Sequence, residues 1–259
     1  MIERTEHDDV TALRLSWWRS RLAGFAVHVY LVRGVLIDTG FSAVARDLAD
    51  VVRERRPRGA LLTHQHEDHA GNVELLARLG VPIGIDARTL AVVQTAQSIG
   101  LYRHVVWRAM TPLRTPLRAF VDDTLSLVHA PGHSPDHHVV WDAETRTLFA
   151  GDAFLGVKVR VAHRYENPSE HVQSLRAMLA REPARVFCAH RGLLRGGALL
   201  LAAKADWMEA MIGRIQALHG EGRSITEIRV ALFGPRVAAD YISAGDYSSD
   251  NFVRSALRG

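Results

Sequence analysis

The segment His64-Gln65-His66-Glu67-Asp68-His69 constrains this chain more than any other. Three imidazoles and an aspartate fall within six residues, directly after the short apolar run 60–63 and just before helical spacing over 71–79. Neutral imidazoles bind borderline-soft divalent cations at about 2.0–2.1 Å, and a carboxylate nearby supplies compensating charge. These four potential ligands lie between a buried strand and the start of a helix. A buried strand that ends in a ligand loop and passes into a helix is the unit of an α/β fold.

The rest of the chain keeps that alternation. Residues 11–15, 25–32 and 35–37 read as strands, with a hairpin turn at Arg33-Gly34. Residues 42–55 have helical spacing and Pro57 stops them. Strand 82–85 and helix 87–99 follow, and strands are expected at 124–130, 138–142, 146–150 and 185–189, with a helix at 168–180. Residues 100–118 break the pattern, with two prolines, Tyr102, Trp107 and arginines 103, 108, 114 and 118. From about Gly196-Gly197 the chain reads as helical throughout: 199–218, then 226–233 behind a capping box at Ser224-Ile225-Thr226-Glu227, then 249–257. The expected organisation is a metal-binding body, 1–196, and a small helical C-terminal subdomain, 197–259.

Three further ligand types each follow an expected strand: His133 after 124–130, Asp152 after 146–150 and His190 after 185–189. Strand ends can converge on one rim of a layered α/β fold, so seven ligands are candidates for one cleft. Cys188 is the only cysteine, which excludes an intrachain disulfide and a thiolate cluster; it reads as a small buried strand residue. The longest apolar run, 198–203, is far short of the roughly 20 residues a spanning helix needs. The first nine residues are acidic with no apolar core of a leader, so a cytoplasmic location is expected.

In these motifs the sequence resembles the metallo-β-lactamase-fold hydrolases over about residues 10–195. The resemblance implies an αββα sandwich of two mixed sheets flanked by helices, and two divalent metal ions, zinc by default, with iron and manganese tolerating the same ligands. It places His64, His66 and His133 on the first ion and Asp68, His69 and His190 on the second, with Asp152 bridging. Asp68 would also orient or deprotonate the attacking water, making it the catalytic residue. Asp38, in Ile37-Asp38-Thr39-Gly40, matches a position that supports the ligand loop. The final motif departs from the usual Pro-Gly-His-Gly, reading Cys188-Ala189-His190-Arg191-Gly192.

The implied activity is that of a binuclear metal-dependent hydrolase delivering a metal-bound hydroxide. An aspartate at the bridging position separates the chain from secreted two-zinc β-lactamases, and His66 separates it from the flavodiiron branch. What remains is the glyoxalase II-like and lactonase-like group, acting on a small ester, thioester or lactone. Lys158 and Arg160, close after Asp152, are expected to meet an anionic substrate, with Tyr102 and Arg103 as further substrate contacts. The first alternative is cleavage of single-stranded RNA, since a related group carries a helical C-terminal extension; against it stands a net charge of only +4. A non-catalytic metal-binding or interaction protein is the remote alternative, disfavoured because structural zinc sites are closed and usually thiolate-rich. No membrane partner is expected, and self-association is left open.

Overall fold

A computed structural model describes residues 1–258. The first half contains β1 (Ile2–His7), β2 (Val10–Leu15), α1 (Trp18–Leu22), β3 (Val27–Val32) and β4 (Val35–Ile37). After a 3-10 turn at Ser42–Val44 come α2 (Ala45–Arg55), β5 (Gly59–Leu61), α3 (Val73–Arg78), β6 (Ile83–Gly84), α4 (Ala87–Val93) and α5 (Leu101–Val106). The second half contains β7 (Leu125–His129), β8 (His138–Asp142), β9 (Thr147–Phe149), β10 (Ala162–His163), α6 (Pro168–Leu179), β11 (Arg185–Cys188) and β12 (Gly192–Leu193). It ends with α7 (Gly197–Gly220), α8 (Ile225–Phe233), α9 (Ala238–Ile242), β13 (Tyr247–Ser248) and α10 (Ser249–Ala256).

Two mixed sheets form the body. One runs β1-β2-β3-β4-β5-β6, antiparallel to β4 and parallel beyond it; the other runs β12-β11-β9-β8-β7, with β11 and β9 parallel. Their facing sides bury Val10, Tyr30, Ile37, Val140, Phe149 and Phe187 in a common layer. The outer face of the first sheet is covered by α2 and α3 through Leu48, Val52, Val73 and Leu76; that of the second is covered by α6 and α7 through Leu175, Met178, Leu201 and Met208. This is the αββα sandwich. The central strands read as continuous apolar runs because both of their faces are covered.

The expected boundary near Gly196-Gly197 coincides with the start of α7, and one core runs across it: Leu201, Ile215, Ile228 and Phe252 share a cluster with Val139, Leu148 and Val186. The Ser224 cap is formed, its hydroxyl accepting from the Glu227 N–H while the Glu227 carboxylate takes the Ser224 N–H. The pair β10–β13 ties the C-terminal helices to the loop that follows Asp152. Three expectations differ. β1 was not anticipated, because this edge strand is largely exposed and lacks an apolar alternation. The helix expected over 87–99 ends at Val93, and the segment read as irregular, 100–118, contains α5. Among the described residues no helix is long and apolar enough to cross a membrane.

Candidate functional site

The seven expected ligands meet at one end of the sandwich. Four of their atoms, from His64, His66, His133 and Asp152, form one group; four, from Asp68, His69, Asp152 and His190, form a second; Asp152 belongs to both. In the first, His66 Nδ1 lies 3.0 Å from His64 Nε2 and 3.1 Å from His133 Nε2, and His133 Nε2 lies 3.4 Å from Asp152 Oδ2. In the second, Asp152 Oδ1 lies 3.3 Å from both His69 Nε2 and His190 Nε2, and His190 Nε2 is 3.3 Å from Asp68 Oδ2. Tetrahedral ligands at about 2.0–2.1 Å from a cation stand about 3.3–3.4 Å apart, and the distances here, 3.0 to 3.8 Å, are compatible with one cation in each group. His69 Nε2 and Asp152 Oδ1 are buried without a well-formed hydrogen bond, as expected of atoms reserved for a cation.

Backbone and side-chain partners fix which nitrogen faces inward. His69 Nδ1–H donates to Asp38 Oδ2 at 2.7 Å, and His190 Nδ1–H donates to Ala26 O at 2.8 Å. His64 Nδ1–H reaches Thr63 Oγ1 at 3.0 Å, and that hydroxyl donates to the Asp38 carboxylate. Each Nε2 therefore presents its lone pair to the site. His66 is reversed: Nδ1 faces the cluster and Nε2–H is paired with the Tyr165 hydroxyl. Asp38 has φ +64°, a conformation Asp tolerates, and its Oδ1 also accepts from the Thr63 N–H at 2.8 Å. It supports the ligand loop, as the resemblance implied, and binds no cation position itself. The loop then turns tightly enough that a Cβ on Gly71 would stand 2.3 Å from Glu67 O, so only glycine fits there.

Electrostatics divide the two groups. Burial holds His64 and His66 well below the ordinary imidazole value and pushes His133 down to about 3, so all three would meet a cation as neutral imidazoles. Burial also pulls on His69 and His190, but the carboxylates of Asp152, Asp68 and, for His69, Asp38 outweigh it and raise both. The carboxylates that raise these two imidazoles are the same groups that would draw a cation to the second position.

Several residues that sequence reasoning passed over brace the ligands. His137 Nδ1–H donates to Ala130 O at 3.0 Å, so its Nε2 accepts the N–H of Asp152 at 3.1 Å. Gly151, at φ +50°, leaves room for this: a Cβ would lie 2.7 Å from His137 Nε2. Behind them α7 sends Lys204 inward to donate from Nζ to Ala153 O at 2.7 Å, the oxygen that also accepts from His171 Nε2. Burial pushes Lys204 down to about 8 and its neighbour Glu166 up to about 8, while Glu166 Oε1 stands 3.7 Å from His133 Nδ1. These contacts join positions far apart in sequence and follow no spacing rule. The pair His137-His138 was the one local hint.

A cavity of about 460 Å³ opens beside His66, walled by Gln65, Gln97, Ser98, Arg103, Arg164 and Tyr165 among others. Its cations are already paired. Arg103 binds Glu67 in bidentate fashion at 2.5 and 2.6 Å, and Arg164 pairs with Asp246. Of the four residues expected to contact substrate, Arg103 lines the cavity. Tyr102 sits behind it against Tyr247, their ring centres 6.0 Å apart, and Lys158 and Arg160 are exposed and outside its lining. Between Leu155 and Arg160 the segment alternates, with Val157 and Val159 packed on the core and Lys158 and Arg160 turned to solvent.

A family profile described as the metallo-beta-lactamase superfamily matches residues 22–190. A beta-lactamase-like protein 2 homolog from Drosophila melanogaster is 30% identical over 169 residues, which are 62% of this chain and 56% of the fly protein. An atrochrysone carboxyl ACP thioesterase from Cryptosporiopsis is 33% identical over 129 residues, 47% of this chain and 35% of that protein. The chain thus spans less than two thirds of either relative's length. Among solved structures, a metallo-beta-lactamase family protein from Thermus thermophilus aligns with a TM-score of 0.66 over 97% of this chain and 92% of its own, at 17% identity.

Proposed function

The chain belongs to the metallo-beta-lactamase superfamily, and on that premise we propose that it is a binuclear metal-dependent hydrolase whose substrate is an acyl thioester. The observation that carries the hydrolytic reading is the convergence of His64, His66, His133, Asp68, His69 and His190 on the two oxygens of Asp152. Two divalent ions held there would supply Lewis acidity at the scissile carbonyl and a water whose pKa approaches neutrality.

The chain's own groups supply the rest. Asp68 directs Oδ2 toward His190 and His69, and burial opposes its ionisation less than those two imidazoles favour it, so it stays a carboxylate. Its other oxygen is the group to orient the attacking water and hold its proton. Tyr165 accepts from His66 Nε2–H and turns its own proton toward the cavity. Burial raises that hydroxyl well above its ordinary value, so it remains a donor across neutral pH, suited to the carbonyl oxygen as charge develops there.

The substrate class follows from the cavity wall and one relative. Gln65, Gln97 and Ser98 offer neutral donors and acceptors, while both arginines are neutralised by Glu67 and Asp246. A polar, uncharged arm matches such a wall better than a free anion or a polyphosphate backbone. The fungal relative's described activity on a carrier-bound thioester supports the same choice. The test is a panel with zinc- or manganese-loaded protein: an acyl-pantetheine thioester, the matching oxygen ester, a lactone, a phosphodiester and single-stranded RNA. The thioester is expected to have the highest kcat/KM, by tenfold or more. Cleavage of RNA with no thioester turnover would replace this reading with the nuclease one.

A further inference from the structure

The surface formed by α1 and α5 lies beside the cavity and combines exposed apolar side chains with cations. α1 and α5 are bound together there: Trp17 Nε1–H donates to Val106 O at 2.5 Å, and the Arg108 guanidinium lies 5.0 Å above the Trp17 ring. Large apolar side chains face outward from both, with Trp18 56%, Leu22 81% and Leu101 79% exposed. Clustered exposed apolar groups of this size are characteristic of a binding surface. Cations intersperse them: Arg19, Arg21, His104 and Arg108 are all exposed, and Arg19 and Arg108 rest on indole rings. No carboxylate competes from these segments, since the sequence has no Asp or Glu from 10 to 37 or from 87 to 121.

This face adjoins the site directly. α5 carries Arg103 into the cavity wall while turning Leu101 and His104 outward. From the α1 side, Phe25 packs on Trp107 at 5.9 Å between ring centres, Trp107 lies 6.2 Å from the His190 ring, and Ala26 O receives the His190 Nδ1–H. A partner seated on α1 and α5 therefore sits at the rim, with the polar cavity leading inward from it.

We propose that the α1–α5 surface docks an acidic carrier protein whose acyl thioester, on a flexible amide-containing arm, enters the cavity. This rests on the thioesterase reading. Charge complementarity selects the partner: an acidic helix would meet Arg19, Arg21 and Arg108 at its rim and bury its apolar face on Trp18, Leu22 and Leu101. It also puts the anionic character expected of the substrate on the carrier, where the unneutralised cations are.

The experiment uses the full metal-loaded chain and an acyl carrier protein bearing an acyl-phosphopantetheine thioester, with the same acyl group on free pantetheine as reference. Binding is read by fluorescence anisotropy of the labelled carrier and turnover separately. The double variant Arg19→Glu/Arg108→Glu is expected to weaken carrier binding tenfold or more and raise KM for the carrier-bound thioester to match. Turnover of the pantetheine thioester should be unchanged, and Arg214→Glu on α7 should bind like wild type. The wild-type advantage should shrink as salt rises. Equal binding by the double variant, or no carrier binding by wild type alongside pantetheine thioester cleavage, would overturn the docking surface alone. Charge-sensitive carrier binding with no cleavage of either thioester would keep the surface and overturn the thioesterase reading.

Discussion

Replacing Asp38 by Asn alters one atom outside both candidate ligand groups and is expected to weaken cation binding at one of the two positions. Asn tolerates the φ of +64° at this position, and its volume matches, so the backbone has no reason to move. Asp38 serves two sets of donors: Thr63 N–H and Oγ1–H on one side, His69 Nδ1–H at 2.7 Å on the other. An amide has only one acceptor. With its oxygen toward Thr63, its NH2 faces His69 Nδ1, which can then accept only by moving its proton to Nε2. That proton would occupy the position reserved for the second cation. With the amide flipped, His69 keeps its tautomer but Thr63 N–H, buried beneath the ligand loop, faces another donor. Either arrangement forfeits a charge-assisted hydrogen bond worth roughly 1.5–3 kcal/mol, which is about a ten- to hundredfold loss in affinity at the second position. Competition with a chromophoric chelator resolves the two binding steps. The tighter or weaker step assigned by His190→Ala should be the one affected, with the His64–His66–His133 position within a few-fold of wild type. Unchanged affinity at both steps would refute the assignment of Asp38 as the group that sets the His69 tautomer.

Three other perturbations have defined outcomes. Glu74 is buried, which disfavours its charge, yet the N–H groups of Arg114 and Thr115 and the side chains of Arg78 and Thr115 hold its pKa down from 4.5 to about 2. Its stabilisation is therefore complete above about pH 4.5 and lost as pH falls toward 2. Glu74→Gln should cost roughly 1–3 kcal/mol at pH 7, the upper bound reduced because Arg78 is exposed, and wild type and variant should converge near pH 2 in urea unfolding; a pH-independent gap would contradict this. Gly151→Ala should lower metal stoichiometry as well as Tm, because its Cβ displaces His137 from the Asp152 N–H; a change in Tm alone would mean His137 does not position the bridge. Tyr165→Phe should reduce kcat about ten- to a thousandfold with metal content intact, whereas a change confined to KM would remove Tyr165 from the stabilisation of developing charge.

The sandwich and its ligands were legible because each ligand is bound to a local signal. His64, His133, Asp152 and His190 all follow strands rich in apolar residues, and those before His64, Asp152 and His190 are almost wholly buried. The Ser224 capping box and the Arg33-Gly34 turn, with both residues at positive φ, were likewise written in adjacent residues. What escaped detection is tertiary. Tyr165 and Lys204 come to the site through the packing around β10 and α7, and nothing in their sequence neighbourhoods marks them. Lys158 and Arg160 are exposed and lie outside the cavity lining, so nearness in sequence to Asp152 does not by itself place them in its wall. α5 was hidden because Pro112 and Pro116 lie beyond it and made the whole of 100–118 read as loop.

The most direct measurement is a zinc titration of the metal-free chain, with wild type, His64→Ala, His190→Ala and Asp152→Ala compared under one chelator competition. Wild type is predicted to take about two equivalents per chain, each single-site histidine variant about one, and Asp152→Ala is predicted to bind more weakly at both positions because both groups share its carboxylate. A single equivalent in wild type, indifferent to His190 and Asp152, would contradict the shared binuclear centre.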